Sequence, residues 1–137
     1  MNIAFFLLPK KDVVYLSPET TMRQAMERME RHRYTAVPLV TEDGRYYGTV
    51  TEGDLLWKLK NTPGFCLQDT EKILLKDIPQ YVKNQWVKIN TEIEDLISLA
   101  AKQSFVPVVD DQEIFIGIVR RREIIEYCLQ FFKSKDG

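Results

Sequence analysis

The chain repeats itself, and this restricts its fold more than any other feature. Ala36-Val37-Pro38-Leu39-Val40 returns as Phe105-Val106-Pro107-Val108-Val109, and Tyr46-Tyr47-Gly48-Thr49-Val50 returns as Phe115-Ile116-Gly117-Ile118-Val119, each position shifted by 69 residues. Upstream, Trp86 to Ile89 alternates as Val13 to Leu16 does. The stripe Ile93, Leu96, Ile97, Ala100 then answers Met22, Ala25, Met26, Met29. Alternation marks a strand, and apolar residues at i, i+3, i+4, i+7 mark a helix burying one face. Each copy therefore reads strand–helix–strand–strand–helix, with Asp12–Leu16 as the first strand and a short helical candidate over Ile73–Ile78. A half of ~60 residues would bury only ~60% of its unfolded surface, so each half needs the other. The expected fold is α+β: two tandem repeats packed with pseudo-two-fold symmetry, each covering the other's apolar sheet face. The expected boundaries are residues 1–62 for repeat one with the N-terminal segment, 63–78 for a connector and 79–137 for repeat two.

Composition removes several function classes. Apolar residues make up 45% and charged residues 28%, the balance of a soluble globular protein. A net charge of −1 argues against a nucleic-acid surface, which needs a basic face. Cys66 and Cys128 make no disulfide framework and sit in no metal-ligand spacing, so they read as thiols in a reducing cytoplasm. The opening MNIAFFLL lacks a basic leader and a small-residue cleavage site, and no run approaches the ~20 apolar residues of a membrane span. The single histidine, His32, lies among Arg28, Arg31 and Arg33 near a helix end, where a solvated cation is the simpler account. No Walker loop, GxGxxG or zinc spacing is present. The sequence holds no visible equipment for catalysis.

The chemistry-bearing stretch is Gly48-Thr49-Val50-Thr51-Glu52-Gly53-Asp54, where a strand runs into a helix. Thr51 and Asp54 stand three apart, the spacing of a capping box, and Leu55, Leu56 and Leu59 continue at helical spacing. Such a junction sets a hydroxyl and a carboxylate beside unpaired N–H groups, a place to hold a ribose and a phosphate. Capping alone explains the same two residues. In the second copy Arg120 stands for Thr51 and Glu123 for Asp54, opening the run Arg120-Arg121-Arg122. Three cations at a helix start oppose its macrodipole by roughly 0.3–1 kcal/mol each. They are either a solvated run relieved by Glu123 and Glu126 or a seat for phosphate.

With these elements in order and twice, the chain resembles a tandem pair of cystathionine-β-synthase (CBS) domains, the Bateman module, over roughly Asp12–Phe132. The resemblance implies clefts between the repeats that bind adenosine-containing ligands: AMP, ADP, ATP, S-adenosylmethionine or cyclic di-AMP. It implies that Asp54 accepts from the ribose hydroxyls and that Thr51 reaches a phosphate or ribose oxygen. Thr35, Ala36 and Val37 would line the cleft, and Thr91 and Phe115 would face it from the other repeat, the ring against adenine. A second cleft would involve Thr20 and Tyr46 with Arg120, Arg121 and Arg122. An Arg-Arg pair after Gly-Ile is similar to bacterial CBS pairs that bind cyclic di-AMP, which puts that ligand first, then ADP or ATP.

The functional expectation is a non-catalytic adenine-nucleotide sensor that signals to a separate protein. The alternative is a ligand-free dimerisation or docking module with empty clefts. A nucleic-acid role for the arginine run is the remaining reading. A homodimer is expected, because Leu55, Leu56, Trp57, Leu59, Ile124, Ile125, Tyr127, Phe131 and Phe132 offer more apolar surface than two short helices need.

Overall fold

A computed structural model describes residues 1–136. They fall into two compact units: Val14–Lys83, and Met1–Val13 together with the chain from Asn84 onward.

In the first unit, helix α1 (Met22–His32) begins with a reciprocal cap. The Gln24 N–H donates to Thr21 Oγ1 at 3.1 Å, and the Thr21 N–H to Gln24 Oε1 at 3.0 Å. Met22, Ala25 and Met29 on its inner face are buried with Val37, Leu39, Val50 and Leu55, so the methionine stripe is core. Strands β2 (Ala36–Val40) and β3 (Tyr46–Thr51) pair antiparallel, and β3 runs straight into α2 (Glu52–Lys60). The strand expected over Asp12–Leu16 is reduced to one parallel bridge, Leu16 to Leu39. Lys10–Asp12 wind into a 3-10 turn before it, and the Ser17 N–H turns onto Thr20 Oγ1 after it, so no ladder can extend either way. The helix expected over Ile73–Ile78 is a single 3-10 turn, Leu75–Asp77. Its backbone is committed elsewhere: Leu75 N–H donates to Thr20 O, and Ile73 O accepts from Met22 N–H at 2.7 Å.

The second unit repeats the strand pairing of the first. Strands β5 (Phe105–Val109) and β6 (Phe115–Arg120) carry the same register as β2 and β3, with the same irregularity at the corresponding residues, Leu39/Val40 and Val108/Val109. Glu52 N–H donates to Thr35 O at 3.0 Å, and Arg121 N–H to Ser104 O at 3.0 Å, 69 residues on. Strand β4 (Val87–Lys88) runs parallel to β5. The helical stripe of this repeat splits into a 3-10 turn, Ile93–Leu96, and one turn of α-helix, α3 (Ile97–Ala100). Glu92 makes no side-chain cap, whereas Thr21 and Gln24 cap the longer helix of repeat one. Helix α4 (Arg121–Asp136) closes the unit.

The N-terminal segment, expected with repeat one, packs with repeat two. Strand β1 (Leu8–Pro9) joins the outer edge of β6, and Ile3 is fully buried in the core formed by Ile93, Leu96, Val106, Val108, Val119 and Ile124. Gly117 makes the approach feasible, since a Cβ there would lie 2.3 Å from the Leu8 carbonyl oxygen.

One ionisable cluster in this unit gives a pH prediction. The Tyr127 hydroxyl donates to Glu94 Oε1, and the Met1 amino group lies 3.1 Å from Glu94 Oε2. The tyrosine bond first, then backbone donation and the Met1 amino group, hold the Glu94 carboxyl at about 2. A depressed carboxyl stabilises the fold fully above its ordinary range near 4.5, and that contribution is lost as pH falls toward about 2. Tyr127→Phe keeps the edge-to-face packing on Phe6 and Phe131 but removes the main cause of the depression. Melting temperature should therefore fall less steeply below pH 4.5 in this variant than in the wild type. Superimposable acid limbs would contradict the assignment.

No helix among the described residues is long and apolar enough to cross a membrane.

Candidate functional site

The β3–α2 junction holds the best-built polar group of the first unit. Thr51 is extended, at φ −117° and ψ 161°, and serves as the N-cap of α2. Its Oγ1 accepts the Asp54 N–H at 3.2 Å, while Asp54 Oδ2 accepts the Thr51 N–H at 3.0 Å. The expected capping box is thus formed, worth ~1 kcal/mol to the helix. Asp54 is only 3% exposed, and its other oxygen, Oδ1, accepts the Tyr81 N–H at 3.1 Å. A carboxylate offers about four lone-pair sites, so two remain for further donors such as a vicinal diol. Thr51 keeps its hydroxyl proton to donate. Ala36 lies opposite Thr51 in the β2–β3 register, the Thr35 carbonyl is taken by Glu52 N–H, and Val37 is fully buried.

The other expected residues are scattered among different surroundings. Thr20 Oγ1 accepts the Ser17 N–H, and Thr20 lines a depression of about 420 Å³ with Leu16, Arg23, Gln24, Glu27 and Arg28. The Tyr46 hydroxyl lies 2.6 Å from Thr49 Oγ1, and burial pushes its pKa up to about 12. In the second unit Thr91 gives its carbonyl to Ile3 N–H, and Phe115 is 1% exposed. An apolar groove of about 390 Å³ lies between α1 and α2, lined by Met22, Met26, Met29, Leu55, Leu56 and Leu59 and rimmed by Glu30, Arg33 and Glu52. None of the expected nucleotide residues lines that groove.

At the second junction the longer side chains close on each other. Arg120 Nε donates to Glu123 Oε1 at 2.9 Å, and Arg120 Nη2 donates to the same oxygen. Among the described residues, Glu123 Oε2 is buried without a partner. Arg121 Nε donates to the Ala100 carbonyl at 2.8 Å, at the end of α3. Arg122 is only loosely paired, 3.8 Å from Glu126, with its side chain 65% exposed. The three cations therefore have different partners: Glu123, the Ala100 carbonyl and, loosely, Glu126.

Residues 7–61 and 75–130 each match the CBS domain family. The chain belongs to that family. Among curated relatives, the chloroplastic CBS domain-containing protein CBSX1 of Arabidopsis thaliana is 28% identical over 98% of this chain and 67% of its own length. The solved CbpB protein of Listeria monocytogenes, in complex with cyclic di-AMP, superimposes with a TM-score of 0.81 at 17% identity, covering 96% of this chain and 98% of that one. Arabidopsis CBSX2, in complex with AMP, gives a TM-score of 0.73 at 22% identity over 95% and 97% of the two chains. At these identities the solved structures establish the CBS pair fold and nothing finer.

Within this CBS pair, sequence reasoning missed the residues that touch the first junction from outside the motif. Tyr81 reaches Asp54 through its backbone N–H, which leaves no side-chain signature to read. The Gln80 carboxamide fills the space beside Gly48, its Nε2 only 2.3 Å from where a Cβ would stand. A glycine inside a strand signals close approach of another group, and Gly48 carried that signal without naming the visitor.

Proposed function

We propose that this CBS pair is a non-catalytic sensor of adenine nucleotides, with the ribose held on Asp54 and Thr51. The observation that carries this reading is the Thr51–Asp54 junction, a preset carboxylate with two acceptor sites left and a hydroxyl proton beside it. Cyclic di-AMP and AMP in the CbpB and CBSX2 complexes support the ligand class. Thr35, Ala36, Val37, Thr91 and Phe115 are proposed to complete this site, and Thr20 and Tyr46 to serve a second one. Arg120, Arg121 and Arg122 are proposed phosphate contacts, with cyclic di-AMP the first candidate and ADP or ATP next. Arg122 is the readiest of the three, since Arg121 would leave the Ala100 carbonyl and Arg120 would leave Glu123. The exposed Leu56, Leu59, Ile125, Leu129, Phe131 and Phe132 suit a homodimer, through which occupancy is passed to a separate protein.

One observation favours the second reading, a ligand-free docking module: Asp54 is buried and already satisfied by Thr51 and Tyr81. A thermal-melt screen separates the two. With AMP, ADP, ATP, S-adenosylmethionine and cyclic di-AMP each present in excess, at least one should raise the melting temperature by several degrees. Ligand at ~100 times its Kd adds ~2.7 kcal/mol. No shift with any of the five leaves only the docking module.

A further inference from the structure

We infer that residues 79–84 form a displaceable strap over Asp54, and that a nucleotide binds by exchanging its hydroxyl for the strap's N–H. This rests on the ribose assignment proposed above and adds what must move for it to happen.

The strap is held lightly along its length and firmly at both ends. At its start, Leu75 and Ile78 are buried in the core of the first unit. At its far end, Gln103, itself 4% exposed, clamps both backbone groups of Gln85: Oε1 accepts the Gln85 N–H at 3.0 Å, and Nε2 donates to the Gln85 carbonyl at 2.9 Å. Gln103 Nε2 also donates to Phe105 O at 3.0 Å, so the clamp is fixed to β5. Between these anchors the attachment is slight. The Tyr81 N–H donates to Asp54 Oδ1, and the Gln80 carboxamide lies against Gly48. Tyr81 and Val82 are 58% and 50% exposed, so little apolar burial pins them.

Asp54 at 3% exposure has lone pairs to spare but no approach for a hydroxyl. The covering donor that is easiest to remove is Tyr81 N–H, because Thr51 N–H belongs to the α2 cap. A ribose hydroxyl donating to Oδ1 takes the same acceptor, so the exchange leaves the carboxylate satisfied. The freed strip leads to Gln85, two residues before β4, and carries the chain from one compact unit to the other. Occupancy of Asp54 is thereby converted into slack in that crossing, the signal a partner protein would read.

Amide hydrogen exchange on the full chain tests this, with AMP and cyclic di-AMP as probes. In the ligand-free protein the Tyr81 amide should exchange slowly, and Asp54→Ala alone should speed it roughly tenfold or more. Saturating nucleotide should speed it likewise in the wild type while the Gln85 amide stays protected. Tyr81→Pro, which deletes the donor and leaves Asp54 in place, should bind the nucleotide several-fold more tightly. Nucleotide binding that leaves Tyr81 equally or more protected overturns the strap, as does weaker binding by Tyr81→Pro. Binding to Tyr81→Pro but not to the wild type supports it. Binding to neither, together with no melting shift from any of the five nucleotides, removes the sensor function and the strap together, an outcome distinct from binding without release.

Discussion

Asp54→Ala should lower the unfolding free energy by about 2–4 kcal/mol, a large effect for one carboxylate. Thr51 Oγ1 still accepts the N–H of residue 54, so that half of the α2 cap survives. Two losses combine. The N–H groups of Thr51 and Tyr81, now facing a buried methyl group, lose their acceptor at ~1–3 kcal/mol each before relaxation. Asp54→Asn keeps one carbonyl oxygen and should fall between, at about 1–2 kcal/mol. Urea denaturation reads both variants, with the m-value unchanged because the surface exposed on unfolding is the same. A cost below ~0.5 kcal/mol for the alanine variant, within the range of ordinary surface changes, would mean that neither bond is formed in solution.

Gly117→Ala should cost about 2–4 kcal/mol, and its counterpart Gly48→Ala much less. The two glycines occupy the same place in their repeats, opposite Val108 and Leu39. At Gly117 a new methyl would sit 2.3 Å from the Leu8 carbonyl oxygen and 2.9 Å from Leu7 Cδ1. A backbone oxygen cannot swing aside, so β1 must part from β6 and loosen the buried Ile3 behind it. Overpacking of this kind costs ~1–3 kcal/mol, and the lost pairing adds to it. At Gly48 the obstructing atoms are the end of the Gln80 side chain, which can rotate away. Its alanine variant should lose less than ~1 kcal/mol. Equal losses at the two positions would contradict the packing assigned to both.

The repeat was legible because it lies in side chains that obey period and spacing. The shift of 69 residues between Pro38 and Pro107 reappears as identical register and identical cross-bonds from Glu52 and Arg121. The Thr51–Asp54 cap was legible for the same reason, since three-residue spacing at a helix start has one geometry. What escaped was carried by the backbone or by distant chain. Alternation in Val13–Leu16 suggested a strand, but a strand needs a partner along its length, and only Leu16 has one. The N-terminal segment holds no mark of which repeat it serves; the space at Gly117 decides that. The arginine run showed its charge and the nearby acids Glu123 and Glu126, but not the Ala100 carbonyl that takes Arg121, because a backbone acceptor leaves no side-chain signature.

The sugar-gripping role of carboxylate 54 is tested most directly by titration calorimetry with cyclic di-AMP and AMP on the wild type and on Asp54→Asn, which should stay folded. At least one nucleotide should bind the wild type measurably, with its Kd raised about tenfold or more in the variant, or ~1.4 kcal/mol. Identical affinities for the two proteins would contradict that role.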